Sequence, residues 1–242
     1  MTEQNMIKET DSPQDLAATV AQVRTEVSAL HAYLVTYKLV VWTAGNVSAR
    51  VPGQELMVIK PSGIEYDQLA PELMIVTDLH GVPVDGVDSA HWGNPDLAPS
   101  SDTDAHAYVY RHMPDVHGVV HTHSPYATAW AALDEPVPCV LTMMADEFGG
   151  DIPIGPFALI GDDSIGRGIV ETLRESKSPA VLMKNHGPFT IGPSAKAAVK
   201  AAVMVEEVAK TVHIARQIGT PIPIDAEHVA RLNDRYMNVY GQ

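Results

Sequence analysis

Apolar residues in the first part of the chain recur at alternating intervals of four and three: Leu16, Val20, Val23, Val27, Leu30 and Leu34. At ~3.6 residues per turn this spacing lays a single apolar stripe along a helix. Ser12-Pro13-Gln14-Asp15 supplies the start, with Ser12 as N-cap, Pro13 at the first helical position and Asp15 favouring the positive end. The helix is expected to end near Lys38. Beyond it the pattern changes to short apolar runs bounded by turn residues. Gly45 to Val51, Leu56 to Ile59 and Met74 to Thr77 predict strands, with Pro52-Gly53 and His80-Gly81 as turns. Residues 85–99 are rich in Gly, Pro, Asp and Asn and predict a loop. Ser101 is expected to cap a helix to about His112. Val116 to His123 predicts a buried strand, and Ser124-Pro125 opens a helix to about Leu133. Phe157 to Ile160, Ala180 to Met183 and Phe189 to Ile191 predict further strands. Ile165, Ile169 and Leu173 mark a helix between the first two. Ser194 is expected to cap a long alanine-rich helix from Ala195 to about Gln217, ended by Gly219 and Pro221.

Helices alternating with strands predict helices packed on a sheet. No composition break divides the chain, so the expectation is a polar lead over residues 1–11 and one domain over 12–242. With 45% hydrophobic residues in 242, the chain can bury a substantial core. Sixteen Lys and Arg against thirty Asp and Glu give a formal charge of −14. That balance argues against nucleic-acid or anionic-membrane partners, though a few local donors can still hold a phosphate. The single cysteine, Cys139, cannot form an internal disulfide and is expected to be a buried small apolar residue. The first fourteen residues carry no apolar leader core, and no apolar run reaches the ~18 residues of a membrane span. The expectation is a cytoplasmic protein.

The sharpest chemical signal is His121-Thr122-His123, at the end of the apolar Gly118-Val119-Val120. Residues two apart on a strand share a face, so two imidazoles can reach one metal ion. His186, in Lys184-Asn185-His186-Gly187, also follows an apolar strand and is the candidate third ligand. Three protein ligands leave a zinc position open to water or substrate. The alternative is that these are ordinary hydrogen-bonding members of a set of 11 histidines. A second signal is Pro99-Ser100-Ser101-Asp102-Thr103, where two hydroxyls stand at a helix start suited to an anion, or simply cap it. Lys60, between Ile59 and a Pro-Ser-Gly turn, is either a phosphate contact or a solvated lysine. Gly45-Asn46-Val47-Ser48 either brings backbone close to a ligand or forms a turn.

Taken together, GNVSA at 45–49, VIKPSG at 58–63, PSSDT at 99–103, HTHS at 121–124, HGPF at 186–189 and the terminal YGQ resemble the class II aldolase and L-ribulose-5-phosphate 4-epimerase family, which includes the adducin head domain. The resemblance runs from about residue 16 to 242. It implies a single three-layer α/β/α domain around a mixed sheet, and a homotetramer with active sites shared between subunits. It makes His121, His123 and His186 zinc ligands and Asp102 the acidic residue at the metal. Asn46, Lys60, Ser62, Gly63, Ser100 and Ser101 match substrate- and phosphate-binding positions. Asp146 and Tyr240 match an acid/base pair supplied by a neighbouring subunit. The aldolase branch usually carries Glu at position 102, so Asp102 favours the epimerase branch, as does YGQ. Met144, Val229 and Leu232 depart from the epimerase pattern, and His228 and Arg231 lie one residue out of register.

The activity so implied is zinc-dependent inversion at C4 of L-ribulose 5-phosphate, giving D-xylulose 5-phosphate. The C4 hydrogen is not α to the C2 carbonyl, so enolisation cannot invert that centre, whereas retro-aldol cleavage of C3–C4 and re-addition can. Zinc would serve as Lewis acid, and two proton-transfer groups would serve the two orientations of the C4 oxygen. The alternatives are a sugar-phosphate aldolase of the L-fuculose-1-phosphate type, which would release the aldehyde, and a non-catalytic adducin-like interaction module.

Overall fold

A computed structural model describes residues 13–84 and 96–240. The expected cap Ser12, most of the loop over 85–99, and Gly241 and Gln242 lie outside the described residues.

The chain builds one seven-stranded sheet from β1 (Asn46–Arg50), β2 (Leu56–Ile59), β3 (Ile75–Asp78), β4 (Gly118–His121), β5 (Ile154–Gly155), β6 (Ala180–Met183) and β7 (Gly187–Gly192), in the order β3-β2-β1-β4-β7-β6-β5. Every pairing is antiparallel except β5 with β6, so the sheet is mixed. Among the described residues, seven α-helices flank it: α1 (Pro13–Thr36), α2 (Thr103–His112), α3 (Pro125–Leu133), α4 (Thr142–Phe148), α5 (Ser164–Arg174), α6 (Ala195–Ile218) and α7 (Ala226–Arg235). A π-helical turn, Tyr236–Tyr240, follows α7.

Strand alternation sends successive side chains to opposite faces. Val47, Ala49, Val58, Val76 and Val120 pack with the stripe of α1 and the first turns of α6. Met57, Val119, Val181, Met183, Phe189 and Ile191 pack with α2 and α5 on the other face. Ala180 and Leu182 meet α3, α4 and the second half of α6. The α1 stripe is buried as its spacing predicts, from Val20 through Leu34, with Leu16 partly buried. Cys139 is buried.

Ser194 caps α6 as expected, its side chain accepting from the Ala197 N–H. Ser101 does not cap α2. Asp102 holds that position and makes no side-chain cap bond, so both groups face elsewhere. The apolar run Phe157 to Ile160 is not a strand: Phe157, Leu159 and Ile160 are all exposed in an irregular segment before α5. The sheet is completed instead by the two-residue β5. Helices α4 and α7 were not anticipated.

No helix among the described residues is long and apolar enough to cross a membrane.

Candidate active site

The site forms where β4 ends beside the β6–β7 hairpin and β1 begins. His121 is the last residue of β4, paired with Asn46 of β1 on one side and Phe189 of β7 on the other. The chain leaves the strand at Thr122, which puts His123 in the connection to α3. His186 closes the tight turn between β6 and β7, its N–H bonded to the Met183 carbonyl at 3.0 Å. Gly187 makes this approach possible, because a Cβ there would stand 2.7 Å from the Thr122 carbonyl.

The three imidazoles converge. Their ligand nitrogens all lie within 4.8 Å of one another, and Nε2 of His121 is 2.8 Å from Nε2 of His123. Nitrogens bound to one tetrahedral zinc at ~2.0–2.1 Å are separated by roughly 3.3 Å, so small ring movements satisfy the geometry. Nδ1 of His121 donates to the Pro188 carbonyl at 3.0 Å, which fixes the tautomer and leaves Nε2 as a lone pair. His121 is buried, and its ring stacks on Phe189 with centroids 4.1 Å apart. Burial, followed by the neighbouring His186 and His123, holds it well below the usual imidazole range and therefore neutral. Desolvation also lowers His186, against the opposing charge of Asp102. His186 is half-buried and His123 exposed, so the centre opens outward through His123.

Asp102 supplies an independent test of whether a cation suits the place. Its Oδ2 accepts from Asn46 Nδ2 at 2.7 Å, whereas Oδ1 is buried with no hydrogen-bond partner. An orphaned carboxylate oxygen beside three convergent imidazoles is costly unless a cation or donor meets it. The donor set, N₃ with one carboxylate, fits zinc or a similar divalent ion.

Across the same cavity, of about 190 Å³, the lining changes to groups suited to an anion. Lys60, Ser62, Gly63, Ser100 and Ser101 line it together with Asn46, Asp102 and the three histidines. Lys60 is not a solvated lysine. It is 2% exposed, and Nζ reaches the Thr43 and Pro61 carbonyls at 3.2 and 3.3 Å. Desolvation pulls its pKa down, and no carboxylate among the described residues pairs with it. Its turn is tied to the serine segment by the Ser100 N–H on the Lys60 carbonyl and the Ser62 N–H on the Ala98 carbonyl. Gly63, at φ +71, gives the turn a left-handed conformation that suits glycine. Asn46 donates to Ser100 Oγ at 2.9 Å as well as to Asp102, so one amide links the two halves of the cavity.

Of the two expected acid/base residues, Asp146 is not among the residues that line this cavity. Asp146 lies on α4, where Asn233 of α7 donates to its backbone carbonyl at 2.9 Å. Tyr240 closes the final turn, and its side chain lies outside the described residues. Sequence reasoning also missed three supports. Ile160, read as a strand residue, lines the cavity. Tyr66 donates to the Ala44 and Gly45 carbonyls at the cavity wall. His106, Ser48 and Tyr110 form a buried chain behind Asp102, with Ser48 Oγ 2.7 Å from His106 Nδ1 and 2.8 Å from Tyr110 Oη. The i+4 spacing of His106 from Asp102 was the available signal for the last.

A fold of this type with this donor set defines a class, and the comparisons agree. The chain belongs to the class II aldolase and adducin N-terminal domain family, whose profile matches residues 25–213. Among solved structures it is similar to an L-fuculose 1-phosphate aldolase at 27% identity and TM-score 0.80, over 89% of this chain and 96% of that one. It is similar at 26% identity and TM-score 0.71 to YgbL from Klebsiella pneumoniae, assigned provisionally to aldolase, epimerase or decarboxylase chemistry, over 88% of this chain and 99% of that one. The L-fuculose-1-phosphate aldolase of Thermus thermophilus, at 22% identity and TM-score 0.64, covers 85% of this chain and 99% of its own and shares the fold. Fold and histidine cluster together place the protein among class II aldolase-superfamily enzymes.

Proposed function

We propose that the protein is a zinc-dependent epimerase that inverts C4 of L-ribulose 5-phosphate to give D-xylulose 5-phosphate. The observation that carries this reading is one cavity with two chemically opposite ends: His121, His123, His186 and Asp102 suit a divalent cation, and Lys60 with Ser100 and Ser101 suits a phosphate. A ketose phosphate has a carbonyl towards one end and a dianion at the other, one group for each end of the cavity.

When bound, the metal supplies Lewis acidity at the carbonyl end of the sugar. The protein's own residues do the rest. Lys60 and the serine hydroxyls hold the phosphate, so the aldehyde fragment stays in place while its carbonyl turns over. Asn46 keeps Asp102 and Ser100 in fixed relation. Asp146 and Tyr240, from a neighbouring subunit of a homotetramer, serve opposite faces of the sugar. One accepts the C4 hydroxyl proton as C3–C4 breaks, and the other returns a proton to the C4 oxygen as the bond re-forms. Asp102, rather than Glu, supports the epimerase branch of the family.

A second reading is favoured by the likeness to L-fuculose 1-phosphate aldolase. The same cavity would then release the aldehyde. Product analysis separates the two. With metal-loaded protein and L-ribulose 5-phosphate, the epimerase yields D-xylulose 5-phosphate without free aldehyde. Cleavage of L-fuculose 1-phosphate with release of lactaldehyde, and no turnover of the pentulose phosphate, would establish the aldolase instead.

A further inference from the structure

Asp146 and Tyr240 lie far apart in sequence, yet a two-sided acid/base device needs them fixed relative to each other. The structure contains a polar cluster between the elements that carry them, in which Glu147 is buried, Tyr236 half-buried and Lys200 exposed. Glu147, next to Asp146 on α4, is 8% exposed. Its Oε2 accepts from Tyr236 Oη at 2.7 Å and lies 3.0 Å from Lys200 Nζ on α6. Lys200 also donates to Tyr236 Oη at 2.9 Å, which closes a three-membered ring of contacts. Tyr236 opens the π-helical turn that ends at Tyr240. One turn earlier, Asn233 donates to the carbonyl of Asp146 itself. The C-terminal segment is therefore keyed to α4 at two successive points, and α6 supplies the third. A carboxylate this buried is retained only where it is paired and hydrogen-bonded, and here the tyrosine and the lysine that satisfy it also bind each other.

We propose that Tyr236, clamped by Glu147 and Lys200, is a positioning residue for Tyr240: it locks the last turn onto α4, so that Asp146 and Tyr240 are presented as one rigid unit. This rests on the assignment of Asp146 and Tyr240 as the proton-transfer pair. The cluster contributes no atom to the substrate. It acts by holding the proton-transfer geometry, where a displacement of ~1 Å costs up to ~10²-fold in rate.

The test uses full-length, metal-loaded protein and four forms: wild type, Tyr236→Phe, Tyr240→Phe and the double variant. Tyr236→Phe keeps the ring and removes only the hydroxyl. It is expected to lower kcat by ~10- to 10²-fold with KM and metal content within about twofold of wild type. The double variant is expected to be no slower than Tyr240→Phe alone, because a positioning residue has nothing left to position. Amide hydrogen exchange over 237–240 is expected to quicken in Tyr236→Phe, and Glu147→Ala should reproduce both effects. Wild-type kcat in Tyr236→Phe, with Tyr240→Phe strongly impaired, would overturn the proposal while leaving the acid/base assignment intact. Losses that multiply in the double variant would show that Tyr236 acts independently of Tyr240. Full activity in Tyr240→Phe would remove the acid/base assignment itself, and the proposal with it.

Discussion

Lys60 and His31 are two buried basic side chains with different roles. The amine of Lys60 is held by two carbonyls, lies 5.4 Å from the centroid of the Tyr66 ring and faces a cavity, an arrangement that an incoming anion completes. Lys60→Ala is expected to cost ~1.5–3 kcal/mol of substrate binding, the worth of one charge-assisted contact, read as a rise in KM with metal content unchanged. His31 is instead a structural pin. Nδ1 donates to the Val27 carbonyl at 2.7 Å and Nε2 accepts from the Val47 N–H at 3.0 Å, tying α1 to β1. Desolvation drives its pKa to about 4, with the Val27 bond opposing and the nearby Lys60 charge assisting, and its ring lies 6.0 Å from that of Tyr66. The unfolded chain thus binds a proton that the native state refuses. Stability from this group is complete above about pH 6.5 and falls as the pH drops towards 4, by up to about 3 kcal/mol. Denaturant titrations of wild type and His31→Gln over that window should show a shallower pH slope in the variant. At this scale much of the cavity was legible. His-x-His at a strand end, lysine before Pro-Ser-Gly and paired serines at a helix start each advertise their chemistry locally. The orphaned oxygen of Asp102 and the double donation by Asn46 were not legible, because both depend on residues more than fifty positions apart.

Among the elements, α3 shows how a site is held from behind. Its N-terminus follows His123 directly, yet Ser124 makes no side-chain cap bond. The carboxylate of Glu206, from α6, accepts from the N–H groups of Tyr126 and Ala127 at 3.0–3.1 Å and takes over the capping. Glu206→Ala is expected to cost about 2 kcal/mol, measured as a lower denaturant midpoint at unchanged m-value. The stripe of α1, the Ser194 cap and the strands around His121 were visible because period, cap and turn residues agreed. Helix α4 escaped because its seven residues span barely two turns, too short to show a period. Helix α7 has a real N-cap in Asp225 but buries only Val229, so its apolar signal is faint. Phe157 to Ile160 misled in the opposite direction: an apolar run implies burial, and here Phe157, Leu159 and Ile160 are exposed, with Ile160 at the cavity.

At the scale of the whole molecule, the cavity within one chain lacks Asp146, which fits the proposal that a neighbouring subunit supplies the acid/base pair. Mixed oligomers test this. Inactive His123→Ala chains combined with inactive Tyr240→Phe chains should regain part of the activity, because an intact metal centre on one chain would face an intact tyrosine on the next. No recovery in oligomers shown to be mixed would place the whole site within one chain. The single-domain organisation over 12–242 remains a proposal of the same kind, tested by whether one cooperative transition unfolds the chain. The central claim, that the convergent histidines are a metal centre, is tested most directly by metal stoichiometry. Purified wild-type protein dialysed against a divalent cation, zinc first, should retain one ion per chain. The His121→Ala/His123→Ala variant, folded by circular dichroism, should retain none. One tightly held ion per chain in that variant would contradict the account.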